Sequence, residues 1–151
     1  MEILKSSIIA NKGIPFRVDW HRTTTESINP HGHEFFEMIF ILSGKGIHEV
    51  DGKIFELEPG DVFLIPPESV HSYRKREGME IVNLIFDHQR IKPWEPDLFS
   101  DSRSRLFKSN KWKFQTGCVR LSGEELAKSI EALRELAQNQ SANMPDKKLH
   151  C

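Results

Sequence analysis

Short runs in which apolar and polar residues alternate make up most of the chain before position 90. Strands are predicted where these runs are rich in Phe, Ile and Val, at 16–22, 33–42, 46–50, 53–57, 62–65 and 80–86. Asp51-Gly52 separates two of them and is typical of a tight hairpin, because both central residues of that turn need a positive φ. Pro59-Gly60 adds a second turn signal. This spacing predicts an all-β fold, either a barrel or a jelly roll.

The predicted strand 33–42 is apolar on both of its faces, and a strand of this kind is normally covered on both sides. One face carries Phe35, Ile39 and Ile41, and the other carries Phe36, Met38, Phe40 and Leu42. One face should line the barrel, and the other should be covered by a C-terminal helix or by a second subunit.

A helical tail is predicted after a polar stretch, with a helix at 123–139. Ser122 and Glu125 form a capping box, in which each side chain accepts a hydrogen bond from a backbone amide at the start of the helix. An apolar stripe follows the helix through Leu126, Ile130, Leu133, Leu136 and Ala137. Two uses of this stripe are open: it packs on the barrel, or it forms a homodimer seam through Leu126, Ile130, Leu133 and Ala137. A polar linker is expected at 139–145, and the start of a second helix from Asp146.

Composition limits the classes of function. The chain has 151 residues, enough for one domain with a core, and it contains no run of the roughly 20 apolar residues that a membrane helix needs. Its two cysteines, Cys118 and Cys151, lack the spacing of a metal or redox motif, so we expect a cytoplasmic protein. The formal net charge of −1 argues against DNA binding by this chain itself.

The candidate chemistry is concentrated in four residues, His31, His33, Glu37 and His71. Because side chains alternate along a strand, the first three share a face if the segment is extended. His71 follows a turn at Gly60 and can therefore lie beside them. Three imidazoles and one carboxylate suit a divalent transition metal, Zn, Ni, Mn or Fe. No spaced partner exists for the remaining histidines, which we interpret as surface or strand-edge residues: His21, His48, His88 and His150.

Two sequence motifs resemble the signature motifs of the cupin superfamily of small jelly-roll barrels: His31-x-His33-x3-Glu37-x6-Gly44 and Gly60-x5-Pro66-x4-His71. The residues around these positions are similar to the N-terminal effector-binding domain of AraC-type bacterial transcription regulators, over 16–86. Two positions depart from the cupin pattern: Glu68 stands where glycine is usual, and Lys75 where asparagine is frequent. The first of these bears on the turn that presents His71, but neither removes a candidate ligand.

The resemblance implies a cupin-type jelly-roll barrel at 1–100 that binds an effector, a connecting segment at 101–121, and a helical dimerisation or linker segment at 122–151. It also implies DNA binding through a helix-turn-helix domain, which we expect to lie outside this chain, so that the chain is a fragment of a longer regulator. The effector would be a small polar molecule such as a sugar, with no catalytic residue and no required cofactor. The residues expected to bind it are His31, His33, Phe35, Glu37, Ile39, His71 and Tyr73.

A second hypothesis stays open, in which the chain is a stand-alone, metal-dependent cupin enzyme such as a dioxygenase or an isomerase. The same three histidines and Glu37 would then hold the metal and leave positions free for substrate. We favour the sensor, because the sequence offers no further acid or base that can be placed at the site beyond Tyr73 and Glu68. A bound metal is also compatible with a sensor, since the ion could hold the effector.

Overall fold

A computed structural model of the chain describes residues 2–4, 16–23, 25–87, 108–110, 113–115 and 117–142. The helix of this part, α1, spans Gly123–Ala142, so the first residues of the predicted linker at 139–145 are helical. The second helix predicted from Asp146 lies outside the described residues, as do His88, His150 and Cys151. The strands are β1 (Glu2–Leu4), β2 (Phe16–Arg22), β3 (Ile28–His33), β4 (Phe36–Val50), β5 (Lys53–Leu57), β6 (Asp61–Ile65), β7 (His71–Phe86), β8 (Lys108–Asn110), β9 (Lys113–Gln115) and β10 (Gly117–Arg120).

Two long antiparallel strands, β4 and β7, form the centre of the fold. The C-terminal half of β7 lies between β4 and β2, and its N-terminal half lies between β4 and β3. The first half of β4 also pairs with β6, and its second half pairs with β5. With β1 and β10 outermost, the order is β1-β3-β7-β4-β6-β10. The predicted all-β architecture followed by a C-terminal helix is confirmed. Of the helices in the described ranges, none is long and apolar enough to cross a membrane.

The observed strand bounds agree with the prediction where turns separate the strands. They disagree where a strand continues through a bulge. The bounds of β2 and β5 are those predicted. The predicted strand 33–42 is wrong at both ends, because His33 ends β3 and β4 runs from Phe36 straight through the expected gap at 43–45. Register shifts between Ile41 and Ile47, around Gly44, let β4 stay paired with β7 through this gap. The predicted strand 80–86 is likewise only the second half of β7.

Apolar side chains pack in two layers, one inside the barrel and one between the barrel and α1. Since β4 contributes to both layers, its two apolar faces are covered as predicted. The inner cluster consists of Ile39, Ile41, Val50, Leu57, Phe63, Ile65, Tyr73, Met79 and Ile81. The outer cluster consists of Val18, Phe40, Val62, Val82 and Leu133.

Helix α1 covers the outer face with the second half of its apolar stripe. Leu133 is only 3% exposed, and Ala137 packs against the same cluster. The assignment of Leu133 to a dimer seam is therefore corrected, because this residue is buried within the chain, which was the other use that the sequence left open; Ala137 is half-buried against the same cluster. Leu126 and Ile130 are half-buried and lie outside that cluster, so a homodimer through them stays a prediction.

Both ends of α1 are fixed by hydrogen bonds. The Glu125 amide donates to Ser122 Oγ at 3.2 Å, and the Ser122 amide donates to Glu125 Oε1 at 3.3 Å, which confirms the capping box. At the other end, the Val18 amide of β2 donates to Gln140 Oε1 at 2.7 Å. The capping box therefore stabilises the start of the helix, and Gln140 attaches its other end to β2 of the barrel.

A change of alternation at Gly44 determines which side chains of β4 enter the barrel. Ile41 faces the interior, and so does His48, although simple alternation over seven residues would turn it outward. Gly44 adopts φ +82°, a conformation that other residues rarely adopt. A Cβ at this position would lie 2.5 Å from the backbone oxygen of Gly78 on β7. Only glycine therefore fits the close approach of β4 and β7.

We expect Gly44→Ala to lower the free energy of unfolding by roughly 2 kcal/mol or more, because a positive φ costs a non-glycine residue about 1–2 kcal/mol and the new methyl group also meets backbone. Gly52→Ala is the matched control, since Gly52 has φ +81° but a Cβ there would have no neighbour within 4 Å. Urea unfolding followed by circular dichroism measures both. Equal losses in the two variants would show that the contact with Gly78 is unimportant.

Candidate functional site

Three buried side chains from three strands meet inside the barrel: His33 at the end of β3, Glu37 in β4 and His71 at the start of β7. Nε2 of His33 lies 3.1 Å from Glu37 Oε2, and Nε2 of His71 lies 3.2 Å from the same oxygen. In this group each residue offers one ligand atom, and these atoms lie within 4.8 Å of one another. The structure thus brings together three of the four metal ligands that the sequence suggested.

His31, the fourth expected metal ligand, is placed differently. Its Nδ1 lies 3.0 Å from the Asn29 carbonyl oxygen, and its ring centroid is 4.3 Å from that of His71. Because a carbonyl only accepts, Nδ1 carries a proton, which leaves Nε2 as the acceptor of the neutral ring. His31 is not part of the group formed by His33, Glu37 and His71. The four-ligand set is therefore corrected to three, with His31 in the wall of the adjoining cavity.

The ring of His33 is held so that its second nitrogen needs a cation. Its Nδ1 lies 2.6 Å from the Phe35 carbonyl oxygen and must donate a proton to it. Its Nε2 faces the Glu37 carboxylate, which also only accepts. Either a second proton or a metal ion must therefore lie between His33 Nε2 and Glu37. A histidine oriented through Nδ1 by a carbonyl is the usual arrangement of a metal ligand.

His48 corrects the interpretation that it is a surface or strand-edge residue without a partner. It is fully buried, and its Nε2 lies 3.0 Å from Nδ1 of His71. Its ring is stacked on Tyr73 with centroids 4.3 Å apart. Burial, together with the charge of His71, lowers the pKa of His48 to about 3. His48 is therefore neutral at physiological pH and orients the ring of His71.

The buried carboxyl group of Glu37 stays ionised. Burial by itself raises the pKa of this group, but the close approach of His33 and His71 outweighs burial and holds the pKa well below its usual range. The site therefore combines a fixed negative charge with two imidazole nitrogens that face it. This combination stabilises a bound cation or a pair of protons.

The turn before His71 is fixed although it carries the glutamate that departs from the cupin pattern. Glu68 adopts φ +71°, which explains why glycine is favoured at this position, and its amide donates to the His33 carbonyl oxygen at 3.1 Å. Asp51, in the β4–β5 hairpin, accepts a hydrogen bond from the Val70 amide at 2.8 Å. These bonds hold the segment that delivers His71. Lys75, the second departure, also has a positive φ of 52°, and asparagine adopts this conformation more readily than lysine.

A cavity of about 270 Å³ adjoins the cluster. Of the residues expected to bind an effector, His31, Glu37, His71 and Tyr73 line it. His33 lies behind this wall in the cluster. The rest of the wall comes from strands β2, β3 and β7 and the segment between β2 and β3: His21, Arg22, Thr23, Thr25, Ile28, Arg76, Ile81 and Asn83.

Two expected binding residues, Phe35 and Ile39, do not line this cavity. Phe35 is 2% exposed and packs with Ile85, its ring stacked on that of His33 at 4.6 Å. Ile39 is fully buried in the inner apolar cluster beside Phe63 and Ile65. Both are corrected to packing residues. Phe35 lies in the bend between β3 and β4, where strand alternation does not apply, and Ile39 faces inward but is covered by its apolar neighbours.

Sequence analysis missed several polar residues of the cavity, of which Arg76 and Asn83 have buried polar atoms. Asn83 lies in the predicted strand 80–86 and could have been placed inward by its alternation with Ile81 and Ile85. No such signal exists for Arg76, because it lies between positive-φ residues, Lys75 and Gly78, that interrupt the alternation of β7. His21 was interpreted as a surface residue, and it is an exposed residue at the edge of the cavity.

Comparison with known sequences connects this site to a family. A sequence model described as "AraC-like ligand binding domain" matches residues 16–149. The HTH-type transcriptional activator RhaR of Enterobacter sp. (strain 638) is 27% identical over 117 residues, which cover 72% of this chain and 41% of the relative. The activator of the same name from Salmonella arizonae is 32% identical over 62 residues, which cover 41% of this chain and 22% of the relative. The chain thus spans less than half the length of these curated relatives.

Comparison with solved structures supports the fold. The crystal structure of an apo ToxT variant from Vibrio cholerae matches 81% of this chain and 48% of its own chain, with a TM-score of 0.59. The sequence identity is 11%, so this likeness shows the fold alone.

We expect acid to destabilise the protein because of His48 and Glu37. His48 has a folded pKa of about 3 against an ordinary value of 6.5, so the unfolded chain binds a proton there that the folded chain does not, and stability falls as the pH falls below 6.5. Glu37 adds a further loss as the pH falls through its ordinary value of 4.5. Urea midpoints of the metal-free protein, measured between about pH 7.5 and about pH 5, report His48 together with His31, whose pKa is also lowered by burial.

His48→Gln keeps a hydrogen-bonding group beside His71 but does not titrate, so its midpoint should depend less on pH than that of the wild type. His21→Gln is the matched control, since His21 is exposed and its loss should leave the slope unchanged. An identical slope in the wild type and His48→Gln would contradict the assignment of a buried neutral His48.

Proposed function

Because this chain belongs to the family of AraC-like ligand binding domains and has its cupin-type jelly-roll barrel, we propose that it is the effector-sensing domain of an AraC-type transcription regulator. The effector is a small polar molecule, such as a sugar, and it binds in the cavity beside Glu37. One observation carries this proposal. Within the described residues, every buried polar side-chain atom that lacks a hydrogen-bond partner belongs to a residue of the cavity wall or to one of two histidines beside it, His33 and His48.

These partnerless atoms describe the chemistry that the cavity can bind. The Tyr73 hydroxyl and Arg76 Nε are donors, and Asn83 Oδ1 is an acceptor. A buried polar atom without a partner costs about 1–3 kcal/mol, so several in one wall are expected where a ligand satisfies them. Hydroxyl groups both donate and accept, and a ligand with several of them can satisfy donors and acceptors in one wall.

Strand β7 provides a direct connection between the cavity and the helix. Ile81 and Asn83 line the cavity, whereas Val82 between them packs in the outer cluster with Leu133 of α1. An effector that binds one arrangement of β7 better than another would therefore also change how α1 is held. Such a difference in affinity is what a sensor requires.

The family and its relatives support separate roles for separate segments of the complete regulator. We propose that residues 1–100 bind the effector, that 101–121 connect, and that 122–151 form a helical segment for dimerisation through Leu126 and Ile130. DNA binding would reside in a helix-turn-helix domain, as the name of the relatives indicates, and the regulator would act in the cytoplasm as a homodimer. A monomer in light scattering at high micromolar concentration would show that this chain alone does not dimerise.

A divalent metal ion, Zn, Ni, Mn or Fe, fits the cluster of His33, Glu37 and His71. The two histidine Nε2 atoms lie 3.1 and 3.2 Å from Glu37 Oε2, and all three ligand atoms lie within 4.8 Å of one another, so they could turn towards one ion. The orientation of His33 and His71 by the Phe35 carbonyl oxygen and by His48 supplies the outer hydrogen bonds that metal ligands use. A bound ion would supply a Lewis-acid contact to an effector oxygen.

We assign no catalytic residue, and hence no enzyme activity. Burial and the nearby charge of Glu37 raise the pKa of Tyr73, so its hydroxyl stays protonated and acts as a hydrogen-bond donor. Glu68 is exposed and does not line the cavity. The acid or base that a metal-dependent enzyme needs is therefore not provided by either of the two candidates that the sequence offered.

We predict opposite effects of Tyr73→Phe on stability and on binding. Removing a buried hydroxyl that has no partner should leave the ligand-free melting temperature unchanged or raise it. Binding of the effector should weaken by about 2- to 10-fold, the worth of one hydrogen bond. Thermal shift and calorimetry with five- and six-carbon sugars, polyols and sugar acids measure both effects.

Ser43→Ala is the matched control for this hydroxyl, because Ser43 Oγ donates to the Gly78 carbonyl oxygen and does not line the cavity. It should leave ligand binding unchanged. The proposed function fails if no compound of the panel binds the wild type, or if Tyr73→Phe binds its ligand as tightly as the wild type does.

We predict that the protein, purified without an affinity tag, binds one divalent ion and that His71→Ala abolishes this binding. His48→Gln should weaken it by about 10- to 100-fold, as the loss of an outer partner of a metal ligand does. His21→Ala, at the edge of the cavity, should bind as the wild type does. Elemental analysis and titration with zinc measure occupancy and affinity, and equal, negligible metal in the wild type and His71→Ala would exclude the metal site.

A further inference from the structure

Arg76 is turned towards the cavity by two irregularities in β7. Tyr73 and Met79, on either side of it, both face the barrel interior, and alternation from either residue would point Arg76 outward. Lys75 and Gly78 have φ values of +52° and +55°, and residues with such values produce bulges that redirect a side chain. As a result, Arg76 lines the same cavity as Tyr73.

The pairing of β7 with β4 shows the same irregularity. Arg74 lies opposite Ile47 and Glu77 lies opposite Lys45, so three steps along β7 correspond to two along β4. One residue of β7 is therefore in excess in this stretch, as in a β-bulge. Bulges of this kind are frequent beside binding sites because they place a side chain where regular pairing does not.

The guanidinium group of Arg76 has no counter-ion within the described part of the chain. Its Nη2 donates to Thr25 Oγ1 at 2.6 Å, its carbon lies 5.7 Å from the centre of the Tyr73 ring, and its Nε is buried without a partner. No ion pair among the described residues includes it, whereas its neighbour Arg74 pairs with Glu49 at 3.8 Å. A partly buried charge without a counter-ion is costly, and it is the group that an anionic ligand satisfies best.

The rest of the cavity limits the charge and the size of such a ligand. Glu37 already contributes a negative charge to the wall, and Arg22, the other arginine of the wall, is exposed and lies 3.8 Å from Glu80. Among the described residues of the wall, Arg76 is therefore the positive charge without an acidic partner, and one carboxylate balances it. A volume of about 270 Å³ corresponds to roughly nine water molecules, which suits a ligand of monosaccharide size.

We propose that this cavity selects small hydroxylated carboxylic acids, such as sugar acids, over neutral sugars, with the ligand carboxylate on Arg76 and its hydroxyls on Tyr73 and Asn83. This inference depends on the proposed effector function and adds the chemical class of the effector. The carboxylate is placed at the Arg76 side of the cavity because the buried Nε–H of Arg76 has no partner there. A planar guanidinium with a free Nε–H is suited to such a group.

The test compares glucose with glucuronate and galactose with galacturonate, which differ only in the acid group at C6, and includes gluconate and galactonate as open-chain acids. Calorimetric titration of the wild type should show at least one acid binding about 10- to 100-fold more tightly than its neutral sugar, the worth of a hydrogen-bonded charge. Arg76→Gln should reduce this preference to near unity. Arg76→Lys, which keeps the charge but not the fork, should give an intermediate preference.

Arg74→Gln is the matched control, because Arg74 is the neighbouring exposed arginine and is not part of the cavity wall. It should keep the preference for acids, and the melting temperature of each variant without ligand shows whether it is folded. The inference is overturned if no acid binds, if neutral sugars bind as tightly as the acids, or if Arg76→Gln keeps the preference. In each case, binding of the neutral sugars to the wild type shows separately whether the cavity binds an effector at all.

Discussion

The buried carboxylate of Glu37 is the constraint on which the interior of this barrel depends. At 8% exposure it is cut off from water, and a buried charge that loses its partner costs about 3–5 kcal/mol. Its two partners are His33 of β3 and His71 of β7, so satisfying one charge fixes three strands relative to one another. The turn before His71 and the bend after His33 are held by hydrogen bonds that serve the same geometry. The carboxylate of Glu37 thus fixes the positions of three strands and also supplies the buried charge of the candidate site.

The polar wall of the cavity depends on interruptions of strand alternation. The bulge at Gly44 brings His48 into the interior, where it holds His71, and the irregularity around Lys75 and Gly78 brings Arg76 to the cavity. In regularly alternating strands, the side chains of His48 and Arg76 would point away from the barrel interior. The bulges also leave polar atoms without partners, a cost that a stable core would avoid and that a binding cavity needs.

The barrel and helix are joined at the strand that precedes α1. Arg120 of β10 donates to the buried Asp61 at 2.7 Å, and the Leu121 amide donates to the Gly60 carbonyl oxygen at 2.9 Å. The turn that leads into β6 is therefore bonded to the start of the helical segment, while β7 contacts the helix cluster through Val82. Of these two connections to the helical segment, the one through β7 starts from a strand that lines the cavity.

The sequence by itself determined the fold class, the capping box of α1, the hairpin at Asp51 and Gly52, and the convergence of His33 and Glu37 with His71. These depend on local chemistry: alternation, turn residues and caps act over a few positions. Only the tertiary structure decided that His31 stands apart from the metal ligands, that Phe35 and Ile39 are packing residues, and that Leu133 of α1 packs on the barrel. The tertiary structure alone also showed that His48 contacts His71 and that Arg76 lines the cavity. A bulge shifts the register of a strand against its neighbour, and the residue pattern of one strand does not contain the position of that neighbour.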